Sequence, residues 1–247
     1  MARLHVKLLL AGSLALLAVA LWQKDALPDR QLLQPDLLGE PEQVQVRKQP
    51  FETTVQGITY TIRPKYTYDL SGLVVSMHDT RTWWNYIHRE WKDNLNVVDL
   101  CVVWGNNART GVYRDVSFWN GQFWCYFEMG SREVYDAFDQ AAYSNNHLIT
   151  DDPEIARKLR STRIGDQVRF RGYLAEYSHN HEGRSFNRGT STVRTDSGDG
   201  ACETVYVEDF EILRPGGGLW RTLAWVAAFL LAAGVLAWFR LPLNNKI

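Results

Sequence analysis

Apolar residues concentrate at the two ends of the chain, and the first apolar segment covers residues 1–22. Arg3 and Lys7 stand ahead of an uncharged run from Leu8 to Trp22. A basic start followed by an apolar helix is typical of an export signal, and the segment can cross a bilayer if Lys7 reaches the headgroups. This pattern predicts an N-terminal signal anchor and transmembrane helix. Cleavage after the small-residue triplet Ala18-Val19-Ala20 is the alternative.

The second apolar segment covers residues 219–240. Leu223 to Phe239 contains no charged residue, and Trp225 and Trp238 lie near the ends of that run, where indole rings favour the lipid headgroups. This predicts a second transmembrane helix, followed by a short cytoplasmic tail at residues 241–247. Basic residues lie on the terminal side of both predicted helices, so the positive-inside rule places both termini in the cytoplasm.

The middle of the chain carries all the acidic residues, since none precedes Asp25 and none follows Glu211. The whole chain has 27 Lys and Arg against 28 Asp and Glu, which gives a formal net charge of −1. A protein without an excess of basic residues lacks the electrostatic footprint of a nucleic-acid binder. We therefore predict an integral membrane protein with no nucleic-acid partner, whose middle segment lies outside the cytoplasm.

Residues 23–50 are rich in proline and join the first apolar segment to the main domain. They contain four of the eight prolines, which are Pro28, Pro35, Pro41 and Pro50. Proline at this density interrupts helices and sheets, so the segment is predicted to be a semi-extended linker. A docking segment is the alternative, because paired leucines between the prolines would expose apolar area. A shorter glycine hinge, residues 214–218, precedes the second apolar segment.

Residues 51–213 alternate between short apolar strands and turn signals. Hairpins are predicted around Gln56-Gly57 and around Asn120-Gly121, which suits a type I′ turn. Aromatic residues at helical spacing predict a helix over 81–92, and further helices are predicted over 131–143 and 153–160. Asp152 is the expected N-cap of the last helix.

Two late strands indicate how the sheet would close. Ile164–Leu174 and Val205–Leu213 resemble the late strands of OB-type barrels, in which a glycine lets a strand coil around the closure. The predicted class is α+β and strand-rich: a small OB-like barrel or sandwich with two or three short helices, flanked by N- and C-terminal transmembrane helices.

Several short motifs resemble those of a family of bacterial membrane-anchored envelope proteins that has no assigned activity. The motifs are Asp99–Asn106, Gly111–Tyr113, Gly121–Tyr126, Ser144–Leu148, Gly189–Asp196 and Gly200–Glu203. The resemblance covers most of residues 58–213 and implies kinship but no chemistry. Together with the two apolar ends, this resemblance predicts a location in the bacterial inner membrane, with the main domain in the periplasm.

The three cysteines all lie on strand-like segments. In an oxidising compartment two of them should pair and leave one free thiol. Cys101 with Cys125 is favoured because both belong to one meander of strands, and pairing of Cys202 with either is the alternative. A further alternative is that all three thiols are reduced and buried, and that they act only as small apolar residues.

Two histidines and two acidic residues form a candidate metal site. His179 and His181 would share one face of a strand, so that both imidazoles could bind one ion. Asp196 and Asp199 would then supply oxygen ligands from the next loop. The alternative is an exposed hairpin loop, because residues 178–200 are rich in Ser, Thr, Gly and Asn.

Six tryptophans lie outside the apolar ends, and at least half of them are expected to be buried. Trp119, beside a predicted turn, is expected to be the most exposed, and it is a candidate for stacking on a sugar or peptide ligand. Polar residues at His78-Asp79 and Asn145-Asn146-His147 are expected to cap the ends of elements.

No set of residues in the sequence converges on a catalytic reaction. The predicted function is therefore a membrane-tethered, extracytoplasmic binding or scaffold module, non-catalytic and without a cofactor, with an envelope protein or a cell-wall component as its partner. The alternatives are a metal-dependent hydrolase or metal-binding protein that uses the His179/His181 segment, and a thiol-disulfide protein.

Overall fold

The computed structural model describes residues 2–193, 195–196 and 202–240, and these residues belong to two units. The two chain ends, up to Ala26 and from Gly216, form one unit, and Leu27–Pro215 form the other, here called the body. The predicted α+β, strand-rich class is confirmed. Among the described residues there are four short α-helices between the terminal helices, where two or three were predicted.

In the described part of the chain the strands are β1 (Glu42–Gln45), β2 (Phe51–Val55), β3 (Ile58–Asp79), β4 (Asn96–Val103), β5 (Val116–Asn120), β6 (Cys125–Met129), β7 (Tyr143–Ile149), β8 (Gln167–His181), β9 (Arg184–Arg188) and β10 (Glu203–Arg214). The α-helices are α1 (Ala2–Gln23), α2 (Tyr86–Glu90), α3 (Gly105–Thr110), α4 (Arg132–Ala137), α5 (Pro153–Ser161) and α6 (Gly218–Arg240).

Helices α1 and α6 are the two predicted apolar segments and pack against each other in antiparallel orientation. Arg3 lies over the Trp238 ring at 5.5 Å, which brings the start of α1 beside the end of α6. At Gly234 an added Cβ would lie 2.9 Å from the Leu10 side chain, so glycine allows the two helices to approach closely. Both helices have a mean hydropathy of 2.1 and are long enough to cross a membrane by length and composition. The predicted tail 241–247 lies outside the described residues.

The body is built around a closed ring of paired strands. The sheet has the order β1-β3-β4-β7-β10-β8-β9, β2 pairs with β3, and β3 also pairs with β8. Strands β3, β4, β7, β10 and β8 therefore form the ring, in which β7 and β10 are the parallel pair. Its interior is filled by apolar side chains such as Leu100, Phe170 and Phe210.

Gly172 allows the ring to close where β8 passes β10. A Cβ at this position would lie 1.9 Å from the backbone carbonyl oxygen of Tyr206. Backbone atoms cannot yield as a flexible side chain can, so only glycine fits. A glycine in the coiled strand was the sequence feature expected at this point.

The prediction that residues 23–50 form a semi-extended linker is wrong for the part from Leu27 onward, which belongs to the body and packs against its other elements. Leu37 is fully buried, β1 pairs with β3, and the Tyr113 hydroxyl donates to the Pro28 carbonyl at 2.7 Å. Proline prevents long helices but allows short 3-10 turns and an edge strand, and the leucines supply apolar area to bury. The alternative of a docking segment describes this region better.

Two predicted helices are much shorter in the structure. The helix expected over 81–92 is only α2, and the one expected over 131–143 is only α4. The hairpin at Asn120-Gly121 is present, but its loop has four residues and Phe123, with φ at 81°, takes the left-handed conformation instead of a type I′ pair. In residues 81–92 the aromatic spacing instead places Trp91 against Phe123 at a cleft, a contact that local periodicity does not reveal.

Replacing Asp152 with alanine is expected to lower the free energy of unfolding by about 1 kcal/mol, because the side chain caps α5. Its carboxylate accepts from the backbone N–H groups of Glu154 and Ile155, at 2.7 and 3.2 Å. Urea denaturation of the full chain in detergent measures the change. Asp136→Ala, on exposed α4, is the control with an expected change below about 0.5 kcal/mol. Equal losses in the two variants would contradict the capping role.

Candidate functional site

A cleft of about 510 Å³ opens where three segments of the body meet. The segments are α2 with the residue after it, the β5–β6 loop, and β9 with the start of β10. The aromatic walls are Trp91, Phe123, Trp124 and Phe186. Among the described residues that line the cleft, Arg188 is the only one with a permanent charge.

A row of buried polar side chains crosses the sheet near this cleft. His78, Asp99, His147 and Thr204 occupy matching register positions on β3, β4, β7 and β10. All four are at most 2% exposed. Buried polar groups are costly without partners, so their hydrogen bonds define what this region does.

Asp99, His147 and Arg188 form a chain of hydrogen bonds from the sheet to the cleft. His147 Nδ1 lies 2.6 Å from Asp99 Oδ1, and Arg188 Nη2 lies 2.5 Å from His147 Nε2. A guanidinium can only donate, so Nε2 must accept and Nδ1 carries the proton that it donates to Asp99. Asn96 Nδ2 donates to the same Asp99 oxygen at 2.9 Å.

Burial and charge keep this chain of groups in one protonation state. Burial lowers the pKa of His147, and the charge of Arg188 lowers it further, so the imidazole is neutral at neutral pH. Burial alone would raise the pKa of Asp99, but the electrostatic and hydrogen-bond interaction with His147 outweighs it and holds that pKa below its ordinary value. An ionised Asp99 thus faces a charged Arg188 across a neutral ring.

Phe123 holds Arg188 in place from the other side. Its ring centre is 4.3 Å from the guanidinium carbon, and it also lies 4.0 Å from the His88 ring. Its left-handed backbone costs on the order of 1–3 kcal/mol in a residue other than glycine, so the surroundings must enforce it. Asn145 contributes by donating to the Phe123 carbonyl at 2.7 Å.

A disulfide bond fastens the β5–β6 hairpin to the ring. It joins Cys101 on β4 to Cys125 on β6, with 6.0 Å between the Cα atoms, and this is the pair that the sequence favoured. Cys202, the remaining cysteine of the three, is free and lines the cleft. Burial raises the pKa of its thiol to about 11, so it is protonated and unreactive at neutral pH.

A second set of buried polar groups connects α2 to the sheet behind the cleft. His88 Nδ1 donates to Asn85 Oδ1 at 2.7 Å, and Asn96 Nδ2 donates to His88 Nε2 at 3.0 Å. Burial lowers the pKa of His88 to about 3, which leaves it neutral. Because Asn96 also contacts Asp99, the two sets form one continuous network.

Asp93, beside this network, is expected to make stability fall as the pH rises from about 4 to 6. It accepts from the Tyr177 hydroxyl at 2.8 Å, and burial raises its pKa from 3.8 to about 6. In that interval the folded chain keeps a proton that the unfolded chain has released, so its contribution is complete below pH 4 and lost above 6. A shift of this size corresponds to roughly 3 kcal/mol.

Urea denaturation at pH 4.5 and at pH 7 measures this effect in the wild type and in Asp93→Asn. The variant cannot titrate, so its free energy of unfolding should change less between the two pH values. Asp136→Asn, on the exposed face of α4, is the control. The same pH dependence in wild type and Asp93→Asn would contradict the prediction.

Of the four residues predicted to bind a metal ion, the three that the structure describes contact other groups. His179 Nε2 donates to the Trp91 carbonyl at 2.9 Å, His181 is partly exposed beside Glu182, and Asp196 accepts from Ser191 Oγ. Asp199 lies outside the described residues. Within the described part of the chain, no group of three or more His, Cys, Asp or Glu side chains is arranged to hold a metal ion.

The expectation for the tryptophans is wrong in two respects. Trp104 is buried, whereas the other five are exposed: Trp83, Trp84, Trp91, Trp119 and Trp124. Trp83 is 85% exposed, far more than Trp119 at 46%. Trp119 stacks on Tyr126 outside the cleft lining, and its role as a ligand-stacking residue stays a prediction.

Sequence reasoning missed Asp99, His147 and Arg188. Asn145-Asn146-His147 were expected to cap the end of an element, but they lie inside β7 and are buried. The signal in the sequence was a run of polar residues within an otherwise apolar strand. In the structure this run lies opposite Asp99, the lone acid of the apolar strand β4. His78-Asp79 do end β3 as expected, and Asp79 accepts from the Arg81 backbone N–H.

Comparisons of the chain with protein-family models, with curated proteins and with solved structures found no match.

Proposed function

We propose that this protein is a non-catalytic, membrane-anchored binding module of the bacterial envelope, related to the family that its motifs resemble. The body lies in the periplasm and holds its ligand in the cleft beside Arg188. One observation carries the proposal: His147 Nε2 accepts from Arg188, so the Asp99–His147 pair positions an arginine at the cleft.

The same observation argues against a hydrolase. A histidine that acts as a general base needs Nε2 free to accept a proton from a nucleophile or water, and here Arg188 occupies that atom. The possible nucleophiles in the cleft are not activated either. The Cys202 thiol has a pKa of about 11, and the hydroxyls of Thr190 and Thr204 donate to backbone carbonyls.

An OB-like barrel is the finer part of this proposal. The closed ring of five strands supports it, as does the coiling of β8 at Gly172. OB-type barrels bind oligosaccharides or oligonucleotides near the loops that follow their first and fourth strands. In the ring, those loops correspond to the segments after β3 and after β8, which contribute Trp91 and Arg188 to the cleft. With a net charge of −1, a cell-wall component or an envelope protein is favoured over nucleic acid.

Site-directed photocrosslinking in native membranes tests the proposal. A benzophenone amino acid replaces Trp124, which lines the cleft, or Tyr135, which is 55% exposed on α4 and serves as the control. We expect a discrete adduct from position 124 that is absent from position 135. No adduct from position 124, or the same adduct from both positions, would contradict a ligand in the cleft.

Protease protection tests the compartment. In spheroplasts, whose outer membrane is open and whose inner membrane is intact, added protease should cleave the body. In whole cells with an intact outer membrane the body should be protected. A body that is degraded only after the inner membrane is lysed would contradict the periplasmic location.

A further inference from the structure

We infer that the ligand of this cleft is an anion, a carboxylate or a phosphate, attached to a flat apolar group. The inference rests on the proposed function and adds the chemical class of the ligand. It follows from the charge of the cleft, the geometry of Arg188 and the aromatic walls.

The charge of the cleft favours an acid. The guanidinium of Arg188 carries a positive charge, and neither aspartate nor glutamate is among the described residues that line the cleft. Its counter-charge, Asp99, is fully buried behind the neutral ring of His147. A ligand in the cleft therefore meets a positive charge that none of the described lining residues neutralises with a carboxylate.

Arg188 has hydrogen-bonding capacity directed to a ligand. A guanidinium has five N–H donors, and in the described part of the chain the only hydrogen bond of this side chain is the one to His147. The remaining donors can form the paired hydrogen bonds that arginine makes with the two oxygens of a carboxylate or phosphate. Lysine in the same place would supply the charge but not the paired geometry.

The orientation of Arg188 is fixed before a ligand arrives. The guanidinium lies over the Phe123 ring at 4.3 Å and is held at one end by His147 at 2.5 Å. The strained backbone of Phe123 and the disulfide bond that anchors its hairpin keep this wall in position. A group held in its binding geometry loses little conformational entropy when the ligand binds.

The walls favour a flat apolar group beside the acid. Trp91 and Trp124 line the cleft and are 46% and 42% exposed, so their rings are available for stacking. Trp91 is itself stacked on Phe123, with 5.2 Å between ring centres and 23° between their planes. An aromatic or sugar ring can lie against these indoles while its acid reaches Arg188.

A set of four matched probes tests the inference on the full chain in detergent micelles. Phenylacetate and phenyl phosphate carry both features, phenylacetamide lacks the charge, and acetate lacks the ring. Binding is followed by titration of the indole N–H resonances of Trp91 and Trp124. We expect at least one of the two aromatic acids to bind about tenfold or more tightly than phenylacetamide and than acetate. The better of the two acids distinguishes a carboxylate ligand from a phosphate ligand.

Three variants assign the preference to Arg188. Arg188→Met should reduce the affinity for the preferred acid by about tenfold or more and leave that for phenylacetamide unchanged. Arg188→Lys keeps the charge and should give an intermediate affinity. Arg171→Met removes an exposed arginine that pairs with Asp209 and should bind as the wild type does. Near-UV circular dichroism shows whether each variant is folded. If Arg188→Met does not fold, the affinities of Arg188→Lys decide the test.

The outcomes separate this inference from the proposed function. If phenylacetamide binds as tightly as the acids, or if the Arg188 variants retain the preference for the acid, the inference is overturned. If none of the four probes shifts Trp91 or Trp124, it is also overturned. In each of these cases a specific crosslink from position 124 would leave the proposed function intact, whereas the absence of that crosslink removes both.

Discussion

Replacing Cys101 and Cys125 together with alanine is expected to lower the free energy of unfolding by about 3.5 kcal/mol. The disulfide bond joins residues 24 positions apart, and it stabilises the body chiefly by restricting the unfolded chain. Cys101 is fully buried, so lost packing adds to this effect. Urea denaturation of the full chain in detergent, followed by tryptophan fluorescence without reductant, measures the loss.

Cys202→Ala is the matched control for the double variant. It removes a third thiol without opening a covalent loop and should cost less than about 1.5 kcal/mol. Reduction of the wild type should reproduce most of the loss seen in the double variant. Equal losses in the control and the double variant would show that the disulfide bond is not the source of the stability.

Replacing Asp99 with leucine is expected to lower the free energy of unfolding by about 4 kcal/mol. Leucine has the same branched shape but accepts no hydrogen bond, so His147 and Asn96 both lose the acceptor that Asp99 provides. The charge of Arg188 also loses its counter-charge on the other side of the imidazole. Denaturation at pH 7 measures the change, and weaker probe binding in the cleft should accompany it.

Two further variants show whether the buried network causes this loss. Asp99→Asn retains an acceptor and should cost less than Asp99→Leu. Asp209→Leu removes the carboxylate of an exposed pair with Arg171 and should cost at most about 1 kcal/mol. A loss in Asp99→Leu no larger than in Asp209→Leu would contradict the energetic role of the network.

Features that depend on neighbouring residues could be predicted from the sequence. The two terminal helices follow from uninterrupted apolar runs, and the N-cap at Asp152 follows from an acid before a proline. The hairpin at Gln56-Gly57 has both residues at positive φ, as its pair of turn residues indicates. In each case the physical cause lies within a few positions of the residue concerned.

The cleft could not be predicted in this way, because its residues come together through strand pairing. Asp99, His147 and Arg188 are far apart in the chain, and only the ring of strands brings them into contact. The His179-x-His181 spacing pointed instead to a metal site. In the structure the Trp91 carbonyl accepts a hydrogen bond from His179 Nε2, a contact from another part of the chain that no local spacing could indicate.

The antiparallel arrangement of α1 and α6 has a practical consequence for labelling this protein. Arg3 and Trp238 are neighbours, so a fluorescent protein fused ahead of α1 and one fused behind α6 emerge on the same side of the lipid. With both helices crossing the bilayer, energy transfer between two such fusions would be efficient.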